Sequence, residues 1–195
     1  MILENTPTVE TERLILRKFE TADREDMFEI LSDEKTNTFL PWFTVRNAEE
    51  AERFINERYI SFYERESAYR YAICLKESMK VVGYIGISDD DSNDLGYGIN
   101  RKFWGQGIAS EAARAVAERV KNAGWEYITA TNDVNNPMSG RVMEKTGMKY
   151  MYSYKELWQP KNIEAVFRMY RLNFDGTDRV YGKYRDMYGV FKENL

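Results

Sequence analysis

Apolar residues recur along this chain at two spacings, and each spacing predicts a different kind of element. Short apolar runs and alternating stretches predict β-strands at residues 14–16, 70–75, 81–88, 95–100, 127–131, 149–158 and 164–173. Stripes at three- and four-residue spacing predict helices at residues 22–31, 48–65 and 107–123, and from Pro137 to Gly147. Strands with helices interspersed predict an α/β or α+β protein with one mixed sheet.

The residues at the helix ends agree with these boundaries. Thr21 is placed to cap the first helix, and Asn136 followed by Pro137 is typical of a helix N-terminus. Gly124 and Gly147 follow the last apolar positions of their helices, where a left-handed residue commonly ends the helix.

One domain is expected for a chain of 195 residues, which is long enough to bury a core. We assign residues 1–174 to this domain and residues 175–195 to a helical extension. In the extension Tyr181, Tyr184, Tyr188 and Phe191 fall on one helical face. This face predicts that the extension packs on the domain or forms a contact in a homodimer.

The composition predicts a cytoplasmic protein that binds neither membrane nor nucleic acid. Hydrophobic residues make up 43% of the chain and charged residues 31%. The apolar runs are far shorter than the roughly 20 residues that span a bilayer, and the N-terminus shows no secretory signal. The net charge of -4 argues against general nucleic-acid binding, and a single cysteine, Cys74, fits a reducing compartment.

The chain contains no histidine, which excludes several kinds of active site. A Ser-His-Asp triad, a Cys-His pair and a zinc site of the usual Cys/His type all require histidine or more than one cysteine. An enzyme with this sequence must therefore use carboxylates, hydroxyls, amines, backbone amides or a bound co-substrate, and no metal is expected.

A glycine-rich segment follows the predicted strand at 95–100 and leads into the helix at 107–123. Gly105, Gly107 and Ala109 make this turn small, so that backbone N–H groups and the helix dipole can face a phosphate or pyrophosphate. A plain tight turn with a helix cap explains the same residues. A Rossmann fingerprint does not fit, because Ser110 stands at its third glycine, and no P-loop motif is present.

Four segments together resemble the GNAT superfamily of N-acetyltransferases, in the branch of the ribosomal-protein N-terminal acetyltransferases. They are residues 11–17 (TERLILR), 82–87 (VGYIGI), 103–112 (FWGQGIASEA) and 136–148 (NPMSGRVMEKTGM). Trp104 departs from the family's acyl-CoA motif, which begins with Arg or Gln. The resemblance implies a mixed, mostly antiparallel central sheet flanked by helices, with splayed strands that form an acyl-CoA cleft.

The resemblance also implies which residues bind acetyl-CoA. The pyrophosphate would lie on the backbone amides of the turn, at Gly105, Gln106, Gly107, Ile108, Ala109 and Ser110. The pantetheine arm would pair with the strand backbone at Tyr97, Gly98 and Ile99, and Asn132 and Asn136 match positions that contact pantetheine or the thioester. Lys102 would add a charge near a phosphate or be an ordinary solvated lysine, and Asn136 is also explained as a helix cap.

The reaction implied is attack of an amine on the thioester, which requires a base and a proton donor. Many relatives use a tyrosine in the last helix as the donor, and Met143 occupies that position here. Ser139, four residues earlier, is therefore the predicted acid. A glutamate that some relatives use as the base is replaced by Thr131, which leaves Asp94 as a catalytic candidate or as one member of a solvated acidic turn.

The sequence thus predicts an acetyl-CoA-dependent N-acetyltransferase that acts on a primary amine in a ternary complex. The acceptor is a protein N-terminus or a small-molecule amine, and the aromatic residues at 39–43 form a lid over it or anchor the core. Two alternatives remain open at this point. One is a CoA-binding regulatory or interaction module without catalysis, and the other is an enzyme that uses a different acyl-CoA donor, such as succinyl-CoA.

Overall fold

The computed structural model describes residues 5–65 and 68–194, and its strands form two antiparallel sheets. The first contains β1 (Val9–Glu10), β2 (Leu14–Arg17), β3 (Arg70–Leu75), β4 (Val81–Ile87) and β5 (Leu95–Ile99), in chain order. The second has the order β6-β8-β7-β9, from β6 (Tyr127–Asp133), β7 (Lys149–Trp158), β8 (Ile163–Asn173) and β9 (Val190–Phe191). The single mixed sheet expected from the sequence is therefore two sheets, each antiparallel throughout its ladders.

The two sheets meet where β5 begins. Asp94 forms a parallel bridge with Thr129 of β6. The amide of Thr129 donates to the carbonyl of Asn93 at 3.1 Å, and its hydroxyl donates to the carbonyl of Ser92 at 2.8 Å. Beyond this bridge β5 and β6 have no ladder between them, so the strands splay and leave a gap, as the family resemblance implies.

Five α-helices accompany the two sheets in the described residues. They are α1 (Arg24–Leu31), α2 (Ala48–Arg58), α3 (Ile108–Asn122), α4 (Pro137–Lys145) and α5 (Lys183–Met187). Apolar side chains of α1 and α2 pack with Tyr84 of β4 in one buried cluster. Those of α3 pack on the opposite face in a second cluster, together with Met143 of α4.

Two predicted helix boundaries are wrong. Residues 21–23 form a 3-10 turn ahead of α1, in which the backbone N–H of Glu20 bonds to the Asp23 carboxylate at 2.8 Å, so Thr21 is not the cap. The second helix ends at Arg58 rather than at residue 65, because Tyr59 leaves helical geometry and turns into the core. There its ring lies edge-on to Phe19, with the centroids 4.6 Å apart.

The C-terminal extension does not form the single helical face predicted for it. Its helix, α5, has five residues, and the chain then pairs as β9 with β7, opposite Ser153 and Tyr154. Glycines at 182 and 189, on either side of α5, disfavour a longer helix. The extension's tyrosines still pack on β7, in a third cluster around Tyr152 and Tyr154.

The described residues contain neither a candidate membrane span nor a candidate metal centre. No helix in residues 5–65 and 68–194 is long and apolar enough to cross a membrane. In the same residues, no group of three or more metal-ligating side chains is placed to hold an ion.

Candidate functional site

The glycine-rich turn joins β5 to α3 and is open to solvent on its outer face. Gly105 and Gly107 have φ angles of +74° and +79°, in the left-handed region that favours glycine. Within the described part of the chain, the amide N–H groups of residues 105–110 have no hydrogen-bond acceptor. Unpaired amides at the positive end of a helix dipole can bind a phosphate group.

Arg13, at the start of β2, holds this turn in shape. Its Nη1 donates to the carbonyl of Gln106 at 2.9 Å, and its Nε donates to Glu111 Oε2 at 2.8 Å. Because the C=O and N–H of a peptide unit point in opposite directions, fixing the Gln106 carbonyl turns the Gly107 N–H toward the open side. Arg13 was missed as a site residue, although it belongs to the segment 11–17 that carries the family resemblance.

Glu111 anchors Arg13 and does not face the cleft. Its Oε1 accepts from the hydroxyl of Thr11 at 2.6 Å and from the amide of Arg13 at 3.0 Å. Burial opposes ionisation, but the hydrogen bonds from Thr11 and Arg13 outweigh it and lower the pKa of Glu111. The carboxylate therefore stays charged and ties β1, β2 and α3 together.

Two residues near the turn have roles that differ from those expected. The ammonium of Lys102 forms an ion pair with Glu29 of α1, so its charge is directed toward that helix. A phosphate contact from Lys102 therefore has no support in this arrangement. Trp104, where the family motif has Arg or Gln, donates its indole N–H to the carbonyl of Ile99 at 2.8 Å and braces the end of β5.

The edge of β5 that faces the gap can pair with an extended ligand. Hydrogen bonds from the Ser88 amide to the Asp94 carbonyl and from the Asn100 amide to the Val82 carbonyl show that even-numbered residues pair with β4. The backbone groups of Tyr97 and Ile99 therefore face the gap, although Trp104 already uses the Ile99 carbonyl.

Gly98 has a packing role that the sequence did not reveal. A Cβ atom on Gly98 would lie 2.4 Å from the ring of Tyr84, so the missing side chain makes room for this ring. Gly96 has nothing within 4 Å of its Cβ position and leaves that part of the strand open. A ligand backbone could therefore approach the strand closely at Gly96, whereas the space beside Gly98 is filled by Tyr84.

On the far side of the gap, β6 and α4 present two asparagines. Asn132 is 4% exposed, and its Nδ2 donates to the carbonyls of Asp133 and Asn136 at 2.8 and 3.1 Å. Its Oδ1 is buried and has no hydrogen-bond donor among the described residues. Asn136 caps α4 by accepting from the Ser139 amide at 3.4 Å, which is the structural role anticipated for it.

A hydroxyl pair crosses the gap between β5 and α4. The hydroxyls of Tyr97 and Ser139 are 2.8 Å apart, and the Tyr97 hydroxyl also lies 2.9 Å from the Ser139 carbonyl. Burial raises the pKa of Tyr97 well above its usual value, although the bond to Ser139 opposes this shift. Tyr97 therefore remains protonated and can donate. The sequence predicted only a backbone role for Tyr97, since nothing local shows which side chain meets α4.

Asp94 lies at the bridge where the gap opens. Its Oδ1 is shielded from solvent and has no hydrogen-bond donor among the described residues. Burial, with a smaller contribution from the negative charge of Asp90, raises the pKa of Asp94 to about 7. A carboxyl group with this pKa can exchange a proton near neutral pH, as a general base must.

An aromatic surface of the second sheet borders Asp94. Tyr154 of β7 stacks on Tyr184 and Tyr188 of the extension, with centroid distances of 5.1 and 5.2 Å. Burial raises the pKa of Tyr154 and of Tyr184, and neighbouring acidic groups that include Asp94 add to the effect. Burial also raises the pKa of Glu156, the next residue on this face of β7.

The aromatic residues of the loop at 39–43 differ in their exposure and in their roles. Trp42 packs edge-on against Phe54 at a centroid distance of 5.0 Å, so it anchors the core, whereas Phe43 is 66% exposed. Lys161, in the β7–β8 connection, donates to the carbonyls of Asn37 and Thr38 at 2.8 and 3.3 Å. This contact joins the second sheet to the α1–α2 connection.

The two positions at which relatives carry catalytic groups do not supply them here. Met143 is 2% exposed and belongs to the core. Thr131 lies in β6 opposite Met169 and carries no carboxyl group. Asp94, just before β5, Tyr97 of β5 and Ser139 of α4 are therefore groups near the gap that can donate or accept a proton.

Comparison with known proteins places this geometry among acetyltransferases. Residues 13–149 match a family described as the acetyltransferase (GNAT) domain. The uncharacterized N-acetyltransferase YnaD of Bacillus subtilis is 29% identical over 145 residues, which are 72% of this chain and 82% of YnaD.

Solved structures agree. A GNAT-family acetyltransferase from Bacillus anthracis superposes with a TM-score of 0.76 and 27% identity, covering 87% of this chain and 99% of that one. RimL, a ribosomal α-N-protein acetyltransferase solved in complex with coenzyme A, has a TM-score of 0.76 at 18% identity, covering 88% of this chain and 100% of its own. At this identity the likeness to RimL shows a shared fold.

Proposed function

The chain belongs to the GNAT family of acetyltransferases, and we propose that it transfers an acetyl group from acetyl-CoA to a primary amine by direct attack in a ternary complex. The observation that carries the proposal is the turn at residues 105–110, whose amides are unpaired beside the open edge of β5. The absence of histidine does not oppose this function, because the acetyl group arrives already activated as a thioester.

The residues around the gap fit coenzyme A. The pyrophosphate would bind the amides of residues 105–110, and the pantetheine arm would pair with the backbone of Tyr97. The buried, unpartnered Oδ1 of Asn132 can accept an N–H from the amide groups of pantetheine. RimL, which shares this fold, was solved with coenzyme A.

Asp94, Tyr97 and Ser139 supply the proton chemistry. The amine must lose a proton to attack, and Asp94 accepts it, directly or through water. The amine nitrogen bonds to the thioester carbonyl carbon, the C–S bond breaks, and the departing thiolate takes a proton from the Tyr97–Ser139 pair. The nitrogen then still carries one proton more than the amide product, and the loss of this proton restores the Tyr97–Ser139 pair. Asp94 as the base and Ser139 as part of the acid are the roles anticipated from the sequence, and Tyr97 is added to them.

The acceptor is proposed to approach as a cation. Asp90 carries a negative charge near the start of the gap, Asp94 gains one above its pKa of about 7, and the rings of Tyr154 and Tyr184 lie beside them. Carboxylates and aromatic faces both attract ammonium groups. Both acceptor classes expected from the sequence, a protein N-terminus and a small-molecule amine, fit this description.

A CoA-binding module without catalysis is the second candidate. It is favoured by Met143 and Thr131, which stand where relatives carry the acid and the base. A thiol-release assay with acetyl-CoA and a panel of polyamines, amino acids and peptides with free N-termini separates the two. Turnover with any amine supports the enzyme, whereas tight CoA binding without turnover across the panel supports the module.

The cofactor site has its own test, which is calorimetric titration of CoA into Gly107→Trp. We expect CoA binding to be lost, because φ at Gly107 is +79° and an indole there would cover the amides of the turn. Gly189→Ala is the control, since nothing lies within 4 Å of its Cβ position. Unchanged CoA affinity in Gly107→Trp would overturn the assignment of the turn.

A further inference from the structure

A shallow groove that is open to solvent lies between the second sheet and the C-terminal extension. Tyr127 of β6 and Arg171 of β8 line it on one side, and Arg179 and Lys183 line it on the other. None of the residues assigned above to catalysis or to CoA belongs to its lining. The groove is therefore distinct from the acetyl-transfer site.

Arg171 is the unusual member of this lining. It is 6% exposed, and its guanidinium lies over the ring of Tyr127, 3.8 Å from the centroid. Its Nε donates to Asn173 Oδ1 at 2.5 Å, and within residues 5–65 and 68–194 neither Nη atom has a hydrogen-bond acceptor and no carboxylate pairs with it. The carboxylates of Asp175 and Glu126 act on Arg171 from a distance, but no carboxylate among the described residues forms an ion pair with it. The N–H donors of its two Nη atoms therefore remain free for a ligand.

Other arginines of the molecule show the usual solution. Arg168, on the same strand, pairs with Glu193 at 2.6 Å, and Arg17 pairs with Asp23 at 2.8 Å. Burial lowers the pKa of Arg171, but a guanidinium remains protonated at any physiological pH. The positive charge in the groove is therefore permanent.

The rim adds cations that are held in place by acids. Lys183 pairs with Asp91 at 3.0 Å, and Arg179 pairs with Glu126 at 3.3 Å and with Asp175. Asp186 also lines the groove and is exposed. Lysine and arginine each carry several N–H donors, so the two rim cations keep donors free after forming these pairs.

We propose that this groove binds an oxyanion, a carboxylate or a phosphate group, with the two Nη atoms of Arg171 as its central donors and Lys183 and Arg179 at the rim. A guanidinium presents a planar fork that matches two oxygens of either group. The ring of Tyr127 fixes the plane of that fork. A bound anion would connect β8 to α5, and so to Tyr184, which stacks on Tyr154 beside Asp94.

Hydrogen exchange on the full-length protein, followed by mass spectrometry, tests the proposal. Wild type is compared in chloride, inorganic phosphate and malonate at equal ionic strength. Saturating CoA is present throughout, so that phosphate cannot report on the turn at residues 105–110. We expect slower exchange in residues 175–188 with phosphate, malonate or both, and the pattern identifies a phosphate, a carboxylate or either group as the ligand.

Variants at Arg171 decide whether the groove is responsible. Arg171→Met should abolish the protection. Arg171→Lys should lower the affinity for the anion roughly tenfold, because lysine lacks the planar fork of a guanidinium. Arg114→Met, on the exposed face of α3, is the control and should keep the protection. Arg171→Met should fold, because it breaks no ion pair and keeps an apolar side chain against the ring of Tyr127, and its Tm in chloride should stay close to that of wild type. Equal exchange in all three salts, or protection that persists in Arg171→Met, would overturn the proposal.

Discussion

The hydroxyls of Tyr97 and Ser139 are the groups proposed to protonate the leaving thiolate. We expect Tyr97→Phe to lower kcat roughly a hundredfold, as removal of a positioned acid does. Ser139→Ala should cost less, because the Tyr97 hydroxyl is still held by the carbonyl of residue 139. Steady-state kinetics with saturating acetyl-CoA measure both effects, with the exposed Ser61→Ala as a control. Unchanged kcat in both variants would show that water protonates the thiolate.

Asp94 should set the pH dependence of the reaction. Burial raises the pKa of its carboxyl to about 7, so kcat/KM is expected to rise with pH and level off above that value. Asp94→Asn should lower kcat/KM and flatten this limb of the profile. Asp90→Asn removes the neighbouring negative charge and should shift the limb to lower pH. An unshifted limb in Asp94→Asn would assign the base elsewhere.

The raised pKa of Asp94 also predicts how the stability of the protein depends on pH. Its pKa in the folded protein, about 7, lies above the unfolded value of 3.8, so the native state holds the proton more tightly. The free energy of unfolding therefore falls as pH rises from about 4 to about 7, because the folded protein must give up a proton that it binds more tightly than the unfolded chain does. Asp94→Asn should be more stable than wild type at pH 8, by at most about 4 kcal/mol, and equal to it near pH 3. Urea unfolding at the two pH values measures the difference, and a pH-independent difference would contradict it.

At the scale of elements, the turn before α3 depends on β2. Arg13 reaches the Gln106 carbonyl, and Glu111 of α3 holds Arg13 in place. We expect Arg13→Gln and Glu111→Gln to raise KM for acetyl-CoA roughly tenfold, because each variant loses a charge-assisted hydrogen bond. The value of kcat should largely be kept. Arg46→Gln, which breaks an exposed ion pair with Glu50, serves as the control. A fall in kcat with unchanged KM would contradict a positioning role.

Element boundaries differ from the sequence prediction where a side chain is required by the core. The strand at residues 70–75 is found as predicted, because alternation and apolar content are local properties. The predicted second helix runs seven residues too far, since Tyr59 gains more by packing on Phe19 than by continuing the helix. In the extension, the spacing of the tyrosines predicted a continuous helix. The structure instead has a short helix followed by β9, which pairs with β7.

At the scale of the whole molecule, the extension covers β7. Deleting residues 179–195 would uncover Tyr152 and Tyr154, which are 3% exposed in the complete chain. We expect the free energy of unfolding to fall by at least about 3 kcal/mol and KM for the amine to rise. CoA affinity should be kept, because the extension packs on β7 and the proposed CoA turn precedes α3. Urea unfolding and calorimetry measure these effects. Tyr188→Ala removes only one ring of the extension and should lower the stability less than the deletion does. Unchanged stability would show that the extension does not support the second sheet.

The sequence by itself determined the class of the protein and the place of its glycine-rich turn. Strand alternation, helix caps and the glycines at 105 and 107 act over a few residues, so their effect can be read locally. The absence of histidine and the four family segments are likewise properties of the chain alone.

Only the tertiary structure decided which side chains meet. Arg13 reaches Gln106, Tyr97 reaches Ser139, and Asp94 becomes a buried carboxyl because elements far apart in the chain pack together. Lys102 turns to Glu29 for the same reason, and Arg171 has no ion-pair partner among the described residues. Burial and distance set a pKa, a hydrogen bond or an unpaired charge, and neither exists until the chain has folded.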